Sequence, residues 1–300
     1  MKTSESAEPT SHPSRIKSWI EAMRLRTLPV SVAGVITAWG LASLYGASRL
    51  LPALLCLAFA VLAQIASNFA NEYYDYRDGL DRPGREGPRR GVTEGDITPR
   101  AMLVATFATL GVACSIGLSL IAFGGWWLLI VGAVTALGAL AYSAGPYPLS
   151  RHALGEVAVV VFFGIVPVNL TFYLQTGYFT ATVAASSVAI GLMTANVLIV
   201  NNYRDAADDS AVGKTTLATL LGPTLTRGLY AANALAAVAL MWIVWAAISP
   251  WALAVPVVYL AASGGICMAM KRRTGAALTP LLGMTAMLIL LYSVMLALLA

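Results

Sequence analysis

The chain has 300 residues, of which only 11% are charged and 58% hydrophobic, against roughly 25% charged in an average globular protein. Its mean hydropathy is +0.75. So few charges cannot cover a water-facing surface, which excludes a soluble enzyme, a disordered chain and a disulfide scaffold. Cys56, Cys114 and Cys267 lie far apart inside apolar runs and read as small core residues. With two histidines and no C-x-x-C there is nothing from which to build a zinc site.

In chain order, residues 1–15 are rich in Ser, Thr, Glu and Pro and read as a disordered cytoplasmic tail ahead of a single transmembrane domain, 16–300. The absence of a continuous apolar stretch before residue 28 argues against a cleaved signal peptide. Ile16, Trp19, Ile20 and Met23 recur at helical spacing, which suits either an amphipathic helix on the membrane surface or the approach to the first span. Nine apolar runs follow, at 28–46, 50–71, 101–123, 125–143, 154–175, 180–202, 226–248, 250–270 and 278–299. A bilayer-crossing helix needs about 20 such residues. None of the runs alternates with period 2, so the expected fold is an all-α polytopic bundle of about nine transmembrane helices. All but one of the 19 basic residues fall on one side of these spans, the exception being Arg49. The positive-inside rule makes that side cytoplasmic, in the inner membrane. All 14 acidic residues fall there too, marking a working surface; no nucleic-acid partner is expected.

Two loops on that side match. After the second span the chain reads N-E-Y-Y-D-Y-R-D-G-L-D, Asn71 to Asp81, and after the sixth N-N-Y-R-D-A-A-D-D, Asn201 to Asp209. Each closes the second span of a four-span unit, which predicts two four-helix pseudo-repeats plus one helix. Asp205 and Asp209, four residues apart, share a helix face, and Asp75 and Asp78 lie three apart with Glu72 one turn earlier. One acidic loop would be an ordinary solvated turn. Two matching ones crowd carboxylates at a cost that cations must offset. Oxygen ligands suit Mg2+, which favours sites shared with substrate phosphates. Arg24, Arg77, Arg204 and Lys214, interleaved with the acids, suit the phosphate itself. Of the nearby tyrosines 73, 74, 76, 142, 147 and 203, most read as an interfacial belt. Tyr142 is the candidate for stabilising a cationic intermediate through its ring face.

At these residues the sequence resembles the UbiA-type superfamily of intramembrane aromatic prenyltransferases, whose hallmarks are an N-D-x-x-D-x-x-x-D loop and a second D-x-x-x-D loop. Glu72 stands where that pattern has Asp, and Gly79 takes its last Asp position, with Asp81 two residues later. Asp81, G-P-R-R at 87–90, R-T-L-P at 26–29, L-G-E-V at 154–157, Y-L-Q-T-G at 173–177 and N-N-Y-R-D…G-K-T-T-L at 201–217 look like the 1,4-dihydroxy-2-naphthoate polyprenyltransferase branch. The resemblance implies transfer of a polyprenyl chain from its diphosphate to 1,4-dihydroxy-2-naphthoate, with loss of CO2 and diphosphate, giving demethylmenaquinone. It implies Mg2+ on Asn71, Asp75, Asp205 and Asp209, supported by Glu72 and Asp81. Asp75, Asp205, Asp209 and Tyr142 carry the catalysis, and Arg24, Arg77 and Lys214 the diphosphate. Arg89 or Arg90 holds the acceptor carboxylate, or both anchor the loop. The alternatives are another aromatic acceptor such as 4-hydroxybenzoate or, from a different class, a Mg2+ or anion transporter. A transporter should carry ionisable groups along a mid-membrane path, and the spans show none.

Overall fold

The computed structural model describes residues 14–82 and 88–300. Most of the expected tail, together with Arg85 and Gly87 of the first loop, lies outside the described residues; Arg15 already opens the first helix. Among the described residues no strand forms, and one isolated parallel bridge joins His152 to Thr215.

Helix α1, Arg15–Met23, starts at Ser14, whose hydroxyl accepts from the Lys17 amide at 3.4 Å. It ends at Arg24, which adopts a left-handed φ of 51° and separates it from the first span, α2, Leu28–Leu44. Trp19 meets Phe69 edge-on at 5.6 Å between ring centroids, while Ile16 and Ile20 remain exposed. The open choice at 16–28 therefore resolves to a separate amphipathic helix lying against the bundle. The remaining helices are α3 (Leu50–Arg77), α4 (Pro99–Ser119), α5 (Ile121–Gly124), α6 (Leu128–Ala141), α7 (Gly155–Val159), α8 (Val166–Thr176), α9 (Ala181–Ala211), α10 (Leu217–Ile248), α11 (Ala254–Arg272) and α12 (Thr279–Leu299). Threonines start three of them. Thr98, Thr180 and Thr216 cap the amides of Ala101, Val183 and Thr219, as short hydroxyl side chains do at a helix N-terminus.

Eight helices or helix pairs are long and apolar enough to cross a bilayer. The ninth expected span survives only as α6, apolar but 14 residues long. It nevertheless runs between the two ends of the bundle. Its N-terminus follows Gly124, which packs against Leu174 at the far end of α8, and beyond its C-terminus Arg151 reaches Asp75 at the near end of α3. α7 and α8 form one span, joined by a π turn at Val160–Ile165 just before Pro167. Pro167 brings no amide hydrogen to the helical ladder, and the ladder widens there. At the same level a side chain on Gly164 would strike the backbone of Gly191 in α9, so the two glycines permit backbone contact between these spans. α10 is broken at Gly222, with φ 69°, ahead of Pro223.

The largest apolar core is made by α2, α8 and the second-half helices α9–α12 around Trp245, Tyr230 and Tyr292. Trp245 Nε1 donates to Tyr292 Oη at 2.5 Å, satisfying both buried polar tips. Between α2, α3, α4, α6 and α8 lies an apolar cavity of about 160 Å3, lined among others by Phe59, Val131, Phe162 and Leu170. Tyr142 borders it.

Candidate active site

Both acidic motifs end helices in the same way. Gly79 and Gly213 take positive φ, 71° and 73°, one residue past the caps of α3 and α9. Gly79 N donates to Tyr76 O and Leu80 N to Asp75 O; Gly213 N donates to Ser210 O and Lys214 N to Asp209 O. This is the Schellman arrangement, in which a left-handed residue folds the chain back over the helix's last carbonyls. It explains why glycine stands where the family pattern has its final Asp. The reversal at Gly79 brings Asp81 back beside Asp75, its amide 3.3 Å from the Asp75 carbonyl.

Helical geometry then sets the side chains. Asn71 Nδ2 donates to Asp75 Oδ2 at 2.9 Å, and Asn201 Nδ2 to Asp205 Oδ2 at 3.4 Å, so the repeat is structural as well as sequential. In the first half Arg24 donates to Asn71 Oδ1 at 2.6 Å. Buried Arg90 lies 3.2 Å from Asp81 and 4.0 Å from Asp75. In the second, Arg204 pairs with Asp205 at 2.6 Å and Lys214 with Asp209 at 3.1 Å.

Three expected site residues are used differently. Glu72 is buried, and its Oε1 accepts from the Val92 amide at 3.1 Å, fastening the 90–92 loop onto α3. Arg89 ion-pairs with Asp96 at 2.5 Å, away from the acidic cluster. Arg77 has 49% of its side chain exposed, bonds Asp78 at 2.7 Å and lies over the Tyr74 ring at 4.7 Å. Its hydrogen bond, with Arg151 beside it, holds the Asp78 carboxyl below its usual range.

The two halves are joined by the segment between α6 and α7, in which sequence reasoning singles out Tyr142 and not Arg151. Arg151 reaches Asp78 at 2.6 Å and Asp75 at 3.5 Å, and donates to the Ser143 carbonyl at 3.3 Å. Its backbone carbonyl accepts from Thr215 N at 3.2 Å, one residue beyond Lys214. Glu156, at the head of α7, accepts from Asn202 on α9 at 2.9 Å. Arg151 was readable only as a lone basic residue after a span. Glu156 had a clearer signal, because a carboxylate in the first turn of an apolar span is expensive.

Among the described residues no three His, Cys, Asp or Glu side chains form a metal cage. Instead buried oxygen donors stand at two helix ends: Asn71 and Asp75 on one, Asp205 and Asp209 on the other. That donor set fits Mg2+, which binds through one or two carboxylates plus substrate phosphates rather than an all-protein cage.

The UbiA prenyltransferase family matches residues 32–279. The chain is 38% identical over 224 residues to the 1,4-dihydroxy-2-naphthoate octaprenyltransferase of Escherichia coli, covering 73% of each chain. It is 35% identical over 279 residues to that of Mycobacterium leprae, covering 93% of this chain and 94% of the other. A solved UbiA homolog from Archaeoglobus fulgidus, bound to GPP and Mg2+, shares the fold with a TM-score of 0.66 at 16% identity, over 93% of this chain and 99% of that one. The chain therefore belongs to the UbiA prenyltransferase family.

Proposed function

We propose that the protein transfers a polyprenyl chain from polyprenyl diphosphate to 1,4-dihydroxy-2-naphthoate, releasing CO2 and diphosphate, in menaquinone biosynthesis. The observation that carries this reading is the 35–38% identity to 1,4-dihydroxy-2-naphthoate octaprenyltransferases over most of the chain. The site supports it chemically. An apolar cavity opens beside Tyr142, next to the segment linking two buried carboxylate pairs, as a substrate with a hydrocarbon tail and an anionic head requires.

Asn71, Asp75, Asp205 and Asp209 would hold Mg2+. When bound, Mg2+ would supply charge neutralisation for the departing diphosphate. Arg24, Arg151, Arg204 and Lys214, which hold the polar groups of the cluster in this structure, orient and offset the phosphate charge. Glu72 fixes the loop that carries Arg90. The cavity walls would shield the tail and the allylic carbon from water, and Tyr142, which borders the cavity, is assigned to stabilising the developing cation. Arg90, already inside the cluster, is assigned to the acceptor carboxylate, and Arg89 to anchoring the loop. The basic asymmetry supports a cytoplasmic position for this end of the bundle, at the inner membrane.

Membranes containing the protein are to be offered 1,4-dihydroxy-2-naphthoate, 4-hydroxybenzoate and homogentisate side by side with a long polyprenyl diphosphate and Mg2+. A prenylated naphthoquinol lacking the carboxylate is the expected product by mass. Preference for 4-hydroxybenzoate, or a product retaining its carboxylate, would exclude this acceptor and leave prenyl transfer standing.

A further inference from the structure

Glu156 is only 6% exposed, yet one of its oxygens has a partner and the other does not. Oε1 accepts from Asn202, whereas Oε2 is buried with no hydrogen bond. Leaving a buried carboxylate oxygen unsatisfied is costly, and a fold retains such an atom where a ligand, an ion or a water completes it. The surroundings locate that ligand. A methyl group placed on Gly155 would stand 3.6 Å from the Tyr142 hydroxyl, and Ala158 and Val159, half a turn and more beyond Glu156, line the apolar cavity with Tyr142. On its other side the chain pairs with Thr215, next to Lys214 and hence Asp209. Glu156 thus lies between residues that line the cavity and the segment that reaches the charged rim.

The chemistry of the two substrates decides between them. A polyprenyl diphosphate has an apolar tail and an ionised head, so it offers a carboxylate no hydrogen to accept and adds like-charge repulsion. A dihydroxylated aromatic acid offers ring hydroxyls. We propose that Glu156 Oε2 accepts a hydrogen bond from a ring hydroxyl of the aromatic acceptor. Asn202 holds the other oxygen so that the carboxylate keeps its aim. The contact fixes the ring at the cavity mouth and, by drawing on the hydroxyl proton, enriches the ring carbon that the allylic group attacks. This rests on the acceptor reading above.

The test compares wild type with Glu156→Gln, which keeps the size of the side chain and the Asn202 contact. Acceptor and donor KM are measured with 1,4-dihydroxy-2-naphthoate. Inhibition constants are measured for 1-hydroxy-2-naphthoate and 4-hydroxy-2-naphthoate, each lacking one hydroxyl. Glu156→Gln should raise the acceptor KM and the inhibition constant of one analogue about 10- to 100-fold, as loss of a charged hydrogen bond does. The other analogue, and the donor KM, should change by less than about threefold. Asn202→Ala should reproduce the same split more weakly, and it carries the test if thermal unfolding in detergent shows that Glu156→Gln does not fold. Equal losses for both analogues, a matching rise in donor KM, or no change would overturn the proposal alone. Wild-type protein that does not turn over 1,4-dihydroxy-2-naphthoate would overturn the acceptor reading and the proposal together.

Discussion

Asp205 and Asp75 occupy matching places in the two halves, but their cations come from different distances. Asp205 is held by its chain neighbour Arg204, and Asp75 by Arg151, which arrives from beyond α6. Each carboxylate is assigned above to the metal and packs little hydrocarbon, so Asp75→Asn and Asp205→Asn should leave the protein folded and inserted. They should cost several kcal/mol of transition-state stabilisation, roughly three orders of magnitude or more in turnover. EDTA treatment followed by Mg2+ should restore the wild type and neither variant; near-normal rates in Asp205→Asn would end the shared-metal assignment. The two neighbouring arginines make a second contrast. Arg90 is buried against Asp81 and Asp75, while Arg89 points to Asp96. Arg90→Lys should therefore raise the acceptor KM about tenfold or more, since an ammonium does not reproduce a planar bidentate contact. Arg89→Lys should change it little. Equal effects in a steady-state comparison would show that both merely brace the loop.

At the scale of elements, the two acidic helices share a terminating device and differ in length. Measured from the asparagine to the closing glycine, α9 is one turn longer than α3, so its second carboxylate, Asp209, lies on the helix. The counterpart Asp81 lies beyond the turn at Gly79. An L-residue in the left-handed conformation costs roughly 1–2 kcal/mol. Gly79→Ala should lower thermal stability in detergent by about that amount and reduce Mg2+ affinity by displacing Asp81; unchanged Mg2+ dependence would detach Asp81 from the site. Asn71, Asp75, Asp205 and Asp209 were legible in the sequence because helix periodicity alone places them on one face. Arg151 and Asn202 were not, and Glu156 was legible only as an out-of-place carboxylate, because their positions depend on α6 returning to the near face and on α7 packing against α9. The split between α1 and α2 was also hidden: it hinges on a positive φ at Arg24, a residue type with no preference for it.

For the whole molecule, the sequence pattern foretold the helical class, eight of the nine expected spans at full length and the shared end of the acidic loops, since apolar run length and charge placement are one-dimensional signals. Single cysteines at Ser48 and Ser210 should react from opposite faces of the membrane, with Ser210 reached only from the cytoplasm. Labelling of both from one face would break the topology. The brevity of α6 has a further effect on the lipid around it. Fourteen residues rise about 21 Å, against about 30 Å of hydrocarbon in a typical bilayer. A helix too short for its membrane can draw the leaflets together around it, so thinning of the bilayer is expected along the wall of the cavity that α6 helps to form. A long-tailed substrate approaching there would meet headgroups displaced toward the midplane, and its phosphates would have less hydrocarbon to skirt on the way to the rim. Turnover in vesicles should accordingly depend on acyl-chain length, falling where thick membranes make the pinch most costly, with the protein acting as a local thinner of its own solvent.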